Sequence, residues 1–145
     1  MAAVVIDANL GIGLVRQMPF SEAFRRKMEQ WIGDGVEIAV PGLWEYEVAS
    51  GLRRLWSQQV LTREQAFGGL EQIMALHVVR YPADPGLLLS ALRWAERLEQ
   101  SKAYDSQYVA LAEQYGAELW SADKRLVNAL KARGVTWAHW IGEVS

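Results

Sequence analysis

Five short apolar runs, at residues 2–6, 36–40, 77–79, 117–120 and 135–138, alternate with stretches whose apolar residues recur at helical spacing. That alternation narrows the fold sharply, because strands separated by helices cannot pair as hairpins and must be joined by crossovers. Such crossovers are right-handed and leave the strands parallel. The expected architecture is a three-layer α/β/α sandwich around a mostly parallel sheet of four to five strands. No linker, repeat or low-complexity stretch interrupts the 145 residues, so residues 1–145 read as a single domain.

The helices announce themselves locally. Ser21 reads as the cap of a helix carrying Phe24, Met28, Trp31 and Ile32, ended by Gly33-Asp34-Gly35. Trp44, Val48, Gly51, Leu52 and Leu55 share one helical face. Thr62 opens a helix that runs to about Leu76. Asp84-Pro85 starts one through Leu88, Leu92, Ala95 and Leu98. Tyr108, Leu111, Ala112 and Tyr115 form the stripe of the next, from Tyr104 to the stop at Gly116. A last helix spans residues 122–133, before Gly134.

Composition removes several function classes. There is no cysteine, hence no disulfide or thiolate metal site. No apolar run reaches the roughly 18 residues of a membrane span, and no signal-peptide pattern opens the chain, so a cytoplasmic protein without membrane contact is expected. A net charge of −2 excludes an overall electrostatic sponge for nucleic acid but not a local basic strip. The seven tryptophans, spread through amphipathic segments, read mostly as core or interface anchors.

The first run ends abruptly at Asp7, a poor place for a carboxylate without a partner. In a parallel α/β fold, ligands bind beyond the carboxyl ends of the strands, where the strand order reverses. Asp7 ends the first strand and Asp123 lies just past the fourth. Glu47 stands in the second turn of the helix leaving the second strand, and Asp105 in the first turn of the helix leading to the fourth. Topology therefore assigns all four to one edge, and they become neighbours if the first and fourth strands are adjacent.

Each acid alone has a plainer reading. Asp105 and Asp123 suit the first turn of a helix, worth about 0.3–1 kcal/mol each against the dipole. Glu45 competes with Glu47, about 160° away around the helix, and periodicity does not choose between them. As a group the acids are harder to explain. Two carboxylates about 6 Å apart repel by roughly 2.8 kcal/mol at an effective dielectric near 20. A divalent cation removes that conflict. Oxygen donors with no cysteine and no histidine pair at ligand spacing point to Mg²⁺ or Mn²⁺ rather than Zn²⁺. His77 and His139, at or near strand ends, read as structural.

Four segments in order, an apolar strand with Asp7-Ala8-Asn9, then Glu47-Val48-Ala49-Ser50-Gly51-Leu52, Tyr104 to Ala112, and Ser121-Ala122-Asp123-Lys124-Arg125-Leu126, carry a family resemblance. The chain resembles PIN-domain ribonucleases of the VapC toxin type over essentially its whole length. The resemblance implies that Asp7, Glu47, Asp105 and Asp123 form the catalytic, metal-holding set, with Asn9 and Ser121 as polar helpers. It also selects Glu47 over Glu45, since the family places its Glu before small residues and Gly-Leu. The chain departs in having Ser121 where Thr is common, and Lys124 and Arg125 where further acids occur.

The implied activity is Mg²⁺- or Mn²⁺-dependent cleavage of RNA, as the toxin of a type II toxin–antitoxin pair. The implied partners are a cognate antitoxin and a second copy in a homodimer. RNA needs cations near the acidic edge. Arg53, Arg54, Lys124 and Arg125 are the candidates, and Arg25, Arg26 and Lys27 form a further cluster; each reads equally as a solvated helix face. Phe67 and Trp56 suit either a partner contact or the core. Two rivals remain: an inactive PIN-like module binding RNA or protein, and a phosphatase of the haloacid dehalogenase type. The latter wants an Asp where Asn9 stands and a later Gly-Asp pair that is missing. A dinucleotide loop at Gly11-Ile12-Gly13 lacks the third glycine of its fingerprint.

Overall fold

The computed structural model describes residues 2–144. Its strands are β1 (Ala3–Ile6), β2 (Glu37–Pro41), β3 (Val79–Tyr81), β4 (Glu118–Ser121) and β5 (Ala138–Trp140), and its helices are α1 (Ala8–Ile12), α2 (Ser21–Gly33), α3 (Leu43–Ser57), α4 (Arg63–Met74), α5 (Pro85–Arg97), α6 (Asp105–Tyr115) and α7 (Lys124–Ala132). A 3₁₀ turn, Ile141–Glu143, follows β5. The sheet order is β3-β2-β1-β4-β5 and every pairing is parallel. β1 is central, and Val4, Val5 and Ile6 are buried as a strand covered on both faces requires.

From β1 the chain steps outward through β2 to β3, then crosses back to β4 and on to β5. Right-handed crossovers therefore put α1 to α4 on one face and α5 to α7 on the other. The order reverses between β1 and β4, where Ile6 stands opposite Trp120. The first and fourth strands are thus adjacent, the condition under which the four acids become neighbours, and the crevice beyond Ile6 and Ser121 is the place where an open parallel sheet binds its ligand. Among the described residues no helix is long and apolar enough to cross a membrane.

Local expectations hold where a cap or turn decides them. Thr62 caps α4 in a reciprocal box with Gln65, and Asp84 caps α5 at the Leu87 amide with Pro85 as first residue. Gly116 ends α6 at φ +60, a conformation that favours glycine. Several details differ. Ser21 is not the cap of α2; Phe20 holds that place without a side-chain bond. The Ser21 hydroxyl donates to the Gly13 carbonyl at 2.7 Å and accepts from the Met18 amide at 2.8 Å, so it fastens the loop after α1. Ile32, Leu88, Leu92 and Tyr115 are exposed rather than on buried stripes. α5 instead buries Leu87, Ala91, Trp94 and Ala95. β3 and β5 begin two and three residues later than expected.

Helix α1 was not expected at all. It exists because Asp7 caps it and because it lies close against α3. A Cβ on Gly11 would come within 2.9 Å of the Trp44 ring, and one on Gly51 within 2.4 Å of the Ile12 side chain. Two glycines, one on each helix, thus permit the approach that brings the end of β1 beside Glu47.

Candidate active site

A cavity of about 290 Å³ opens at the β1–β4 crevice, lined by Asp7, Asn9, Glu47, Asp105 and Asp123 with Ser50, Arg54 and Tyr108. The four acids that topology assigned to one edge share this one space. Asp7 reaches it from the end of β1, Glu47 from α3, Asp105 from the first turn of α6, and Asp123 as the cap of α7.

Asp7 is buried and held on both oxygens. Its Oδ1 accepts from the Leu10 amide at 3.0 Å, which starts α1, while Oδ2 accepts from the Ser121 hydroxyl at 2.5 Å and the Ala122 amide at 3.1 Å. Burial pushes its carboxyl up from 3.8 to about 6, against the pull of the Ser121, Leu10 and Ala122 hydrogen bonds. Desolvation also raises Glu47 and Asp105, with Asp105 adding to the rise at Glu47 and Asp123 to that at Asp105. The anionic site is therefore electrostatically unfavourable as it stands.

Lone pairs decide what each acid can still offer. A carboxylate accepts about four hydrogen bonds. Asp7 accepts three and keeps one place, on Oδ1. Asp123 Oδ1 accepts from the Arg125 and Leu126 amides at 3.0 and 3.4 Å, leaving Oδ2 open. Glu47 Oε1 accepts from the Tyr108 hydroxyl at 2.5 Å, leaving Oε2. The open donors are hard oxygens, a set that suits Mg²⁺ or Mn²⁺. Among the described residues no three His, Asp or Glu side chains form a finished cage. Mg²⁺ does not need one, because it keeps several waters and takes one or two carboxylates plus substrate phosphate.

Ser121 and Asn9 differ in placement. Ser121 is fully buried; besides donating to Asp7 it accepts from the Asp123 amide at 2.9 Å, and so links the first acid to the last. Asn9 is exposed on the cavity rim. Glu45 is elsewhere, in an ion pair with Arg80 Nε at 2.5 Å. Of the candidate cations only Arg54 lines the cavity. Arg53 lies 4.3 Å from the centre of the Trp56 ring and Lys124 4.7 Å from that of Trp140, while Arg125 is exposed. In the third cluster Arg25 pairs with Glu22 at 3.0 Å. Trp56 is half-buried against the exposed Phe67, ring centres 5.8 Å apart. His139 in β5 pairs with Glu118 and stacks on Trp120, and His77 is exposed; neither lines the cavity.

Two residues here escaped the sequence reading. Trp44 was assigned to a core stripe, and it is fully buried, but its Nε1–H also donates to the Asp7 carbonyl at 3.1 Å, tying α3 to the turn that carries Asp7. Tyr108 was read likewise. Its signal was present: a phenol on a buried stripe needs a partner, and this one stands three residues after Asp105, on the same helix face.

Comparison with known proteins bears on the family and the fold. The family model described as "PIN domain" matches residues 4–131. The chain is 39% identical over 132 residues to VapC ribonuclease Mb0985 of Mycobacterium bovis, covering 91% of this chain and 90% of that one, and equally to ribonuclease VapC9 of Mycobacterium tuberculosis. Among solved structures, PAE2754 from Pyrobaculum aerophilum matches with a TM-score of 0.71 at 19% identity, over 98% of this chain and 85% of that one. FitAcB from Neisseria gonorrhoeae matches at 0.69 and 14%, over 97% and 99%, and a toxin–antitoxin complex from Klebsiella pneumoniae at 0.67 and 13%, over 94% and 95%. Those structural likenesses speak for the fold, and the sequence matches carry the kinship: the chain belongs to the PIN domain family.

Proposed function

We propose that the chain is a divalent-cation-dependent endoribonuclease, active in the cytoplasm as the toxin of a toxin–antitoxin pair. The observation that carries the reading is that Asp7, Glu47, Asp105 and Asp123 share one cavity, where burial and neighbouring charge raise the carboxyls of Asp7, Glu47 and Asp105. The relatives named as VapC ribonucleases supply the substrate class, and the neighbour titled a toxin–antitoxin complex supplies the partner class.

In this reading Asp7 and Asp123, each with an acceptor position still open, would hold Mg²⁺ or Mn²⁺, and Glu47 and Asp105 would act through water or a second ion. The cation supplies the positive charge that draws in and polarises a phosphodiester. Glu47 Oε2, on a carboxyl already raised by burial, takes the proton of the attacking water as the phosphorus–oxygen bond to the leaving ribose breaks, and that oxygen takes a proton from solvent. Ser121 keeps Asp7 and Asp123 in register and Asn9 orients water at the rim. Arg54 meets an RNA phosphate, with Arg53, Lys124 and Arg125 further along the strand's path. A homodimer belongs to the same reading, supported by Leu88, Leu89 and Leu92 standing exposed on α5.

The test is cleavage of a labelled RNA pool, single-stranded and looped, with Mg²⁺, with Mn²⁺ and with EDTA, comparing wild type with Asp7→Asn. Cleavage that needs the cation and vanishes in the variant is the expected result. Folded wild type that binds the pool but cuts nothing with either cation would make this an inactive RNA-binding module instead.

A further inference from the structure

Tyr108 lines the cavity with a hydroxyl that none of the preceding chemistry uses. Its ring is 2% exposed and its hydroxyl donates to Glu47 Oε1 at 2.5 Å. The two residues come from opposite helix layers, Glu47 from α3 and Tyr108 from α6, and meet 61 positions apart in sequence at the cavity wall. A phenylalanine would fill the same space, so packing explains the ring and not the oxygen. Among the described residues Glu47 has no cationic partner and no second hydrogen bond; Arg54, seven residues on, lines the cavity without pairing with it.

Asp105 lies on the same face of α6 as Tyr108 and repels Glu47. Unheld, a half-buried glutamate beside another carboxylate gains by swinging to water. The phenol offsets that tendency before any cation arrives. It also settles which oxygen remains: with Oε1 engaged, Oε2 faces the cavity alone.

We propose that Tyr108 is a positioning residue that holds Glu47 as a one-oxygen arm of the cation site. This rests on the reading of the cavity as a cation-dependent active site. The prediction follows from how strongly hydrogen-bond partners behind a ligand influence it, commonly by about 10–100-fold in metal affinity or activity.

The experiment is Mn²⁺ binding to the full chain, followed by calorimetry and by the loss of free-ion paramagnetic signal, in wild type, Tyr108→Phe, Glu47→Gln and the double variant. Melting in EDTA is recorded for each. Tyr108→Phe should weaken Mn²⁺ binding about tenfold, and raise the Mn²⁺ concentration for half-maximal cleavage by the same factor. In the Glu47→Gln background it should add little. A role confined to core packing would lower the melting temperature and leave the affinity of the folded fraction unchanged, which would overturn the proposal. If Tyr108→Phe does not fold, Glu47→Asp withdraws the carboxylate from the phenol without touching the core, and wild-type affinity in that variant would overturn it equally. Wild type that binds no Mn²⁺ would instead remove the reading of the cavity itself, and this proposal with it.

Discussion

The carboxyl of Asp7 makes stability depend on pH in the opposite direction from most acids. Its folded-state value lies near 6 against an ordinary 3.8. Below the lower value both folded and unfolded chains carry the proton. Between the two, the folded chain keeps a proton that the unfolded chain has released, so stability falls as pH rises toward about 6 and is level above it. A rise of that size corresponds to about 3 kcal/mol. For a chain of this length that is roughly 10 °C in melting temperature.

The control is Asp7→Asn, which has no proton to lose. Asparagine offers one acceptor oxygen for three donors now facing Asp7, so the variant carries its own loss, but one independent of pH. Melting of both proteins in EDTA from pH 4 to pH 8 should show wild type losing about 2.5 kcal/mol relative to the variant by pH 7, the first part of the change having passed below pH 4. Mn²⁺ in large excess over its dissociation constant should return a similar amount to wild type above pH 6, and little to Asp7→Asn. A difference between the two proteins that is flat with pH, or that rises, would refute both the desolvation argument and the role of a cation in relieving it.

Other substitutions separate neighbouring residues. Glu47→Gln should lower cleavage by about 10²-fold or more, consistent with loss of a general base, while Glu45→Gln, which only breaks the pair with Arg80, should leave the rate within a few-fold in the same RNA assay. Ser121→Ala removes the hydroxyl between Asp7 and the Asp123 amide; RNA cleavage should fall about tenfold, and urea unfolding should show a loss of about 1.5–3 kcal/mol. Gly69→Ala would press a methyl to 2.5 Å from the branched Val15 side chain, and the same unfolding measurement should give a loss of about 1–3 kcal/mol with m unchanged.

What the sequence disclosed followed from how local each signal was. An apolar run broken by Asp7 marks a strand end, and first-turn acids mark helix starts, so the edge that gathers Asp7, Glu47, Asp105 and Asp123 could be read before any distance was known. Helix α1 could not, because five residues with an internal glycine carry almost no helical signal of their own. Its cap and its contact with Trp44 are both tertiary. Leu87-Leu88-Leu89 offers α5 two apolar registers. The one adopted buries Ala91, a small residue that lets α5 lie closely against α6, and no periodicity within α5 announces that neighbour. The choice between Glu45 and Glu47 was open to periodicity for the same reason: Arg80, which claims Glu45, comes from a strand 35 positions away.

Ser121 and Asp7 are 114 positions apart, and the strands that bring them together pair across the same interval. A ribosome that has released the chain only as far as Gly116 has already delivered Asp7, Glu47 and Asp105, yet there is no β4 for β1 to pair with and no hydroxyl to hold Asp7. Contacts this distant in sequence form late, after the loop between them has been closed. The acid set is thus complete only once residues 118–123 have joined the sheet beside β1, so a fragment that stops short of β4 carries three of the four acids without the strand and the hydroxyl that hold Asp7 in place.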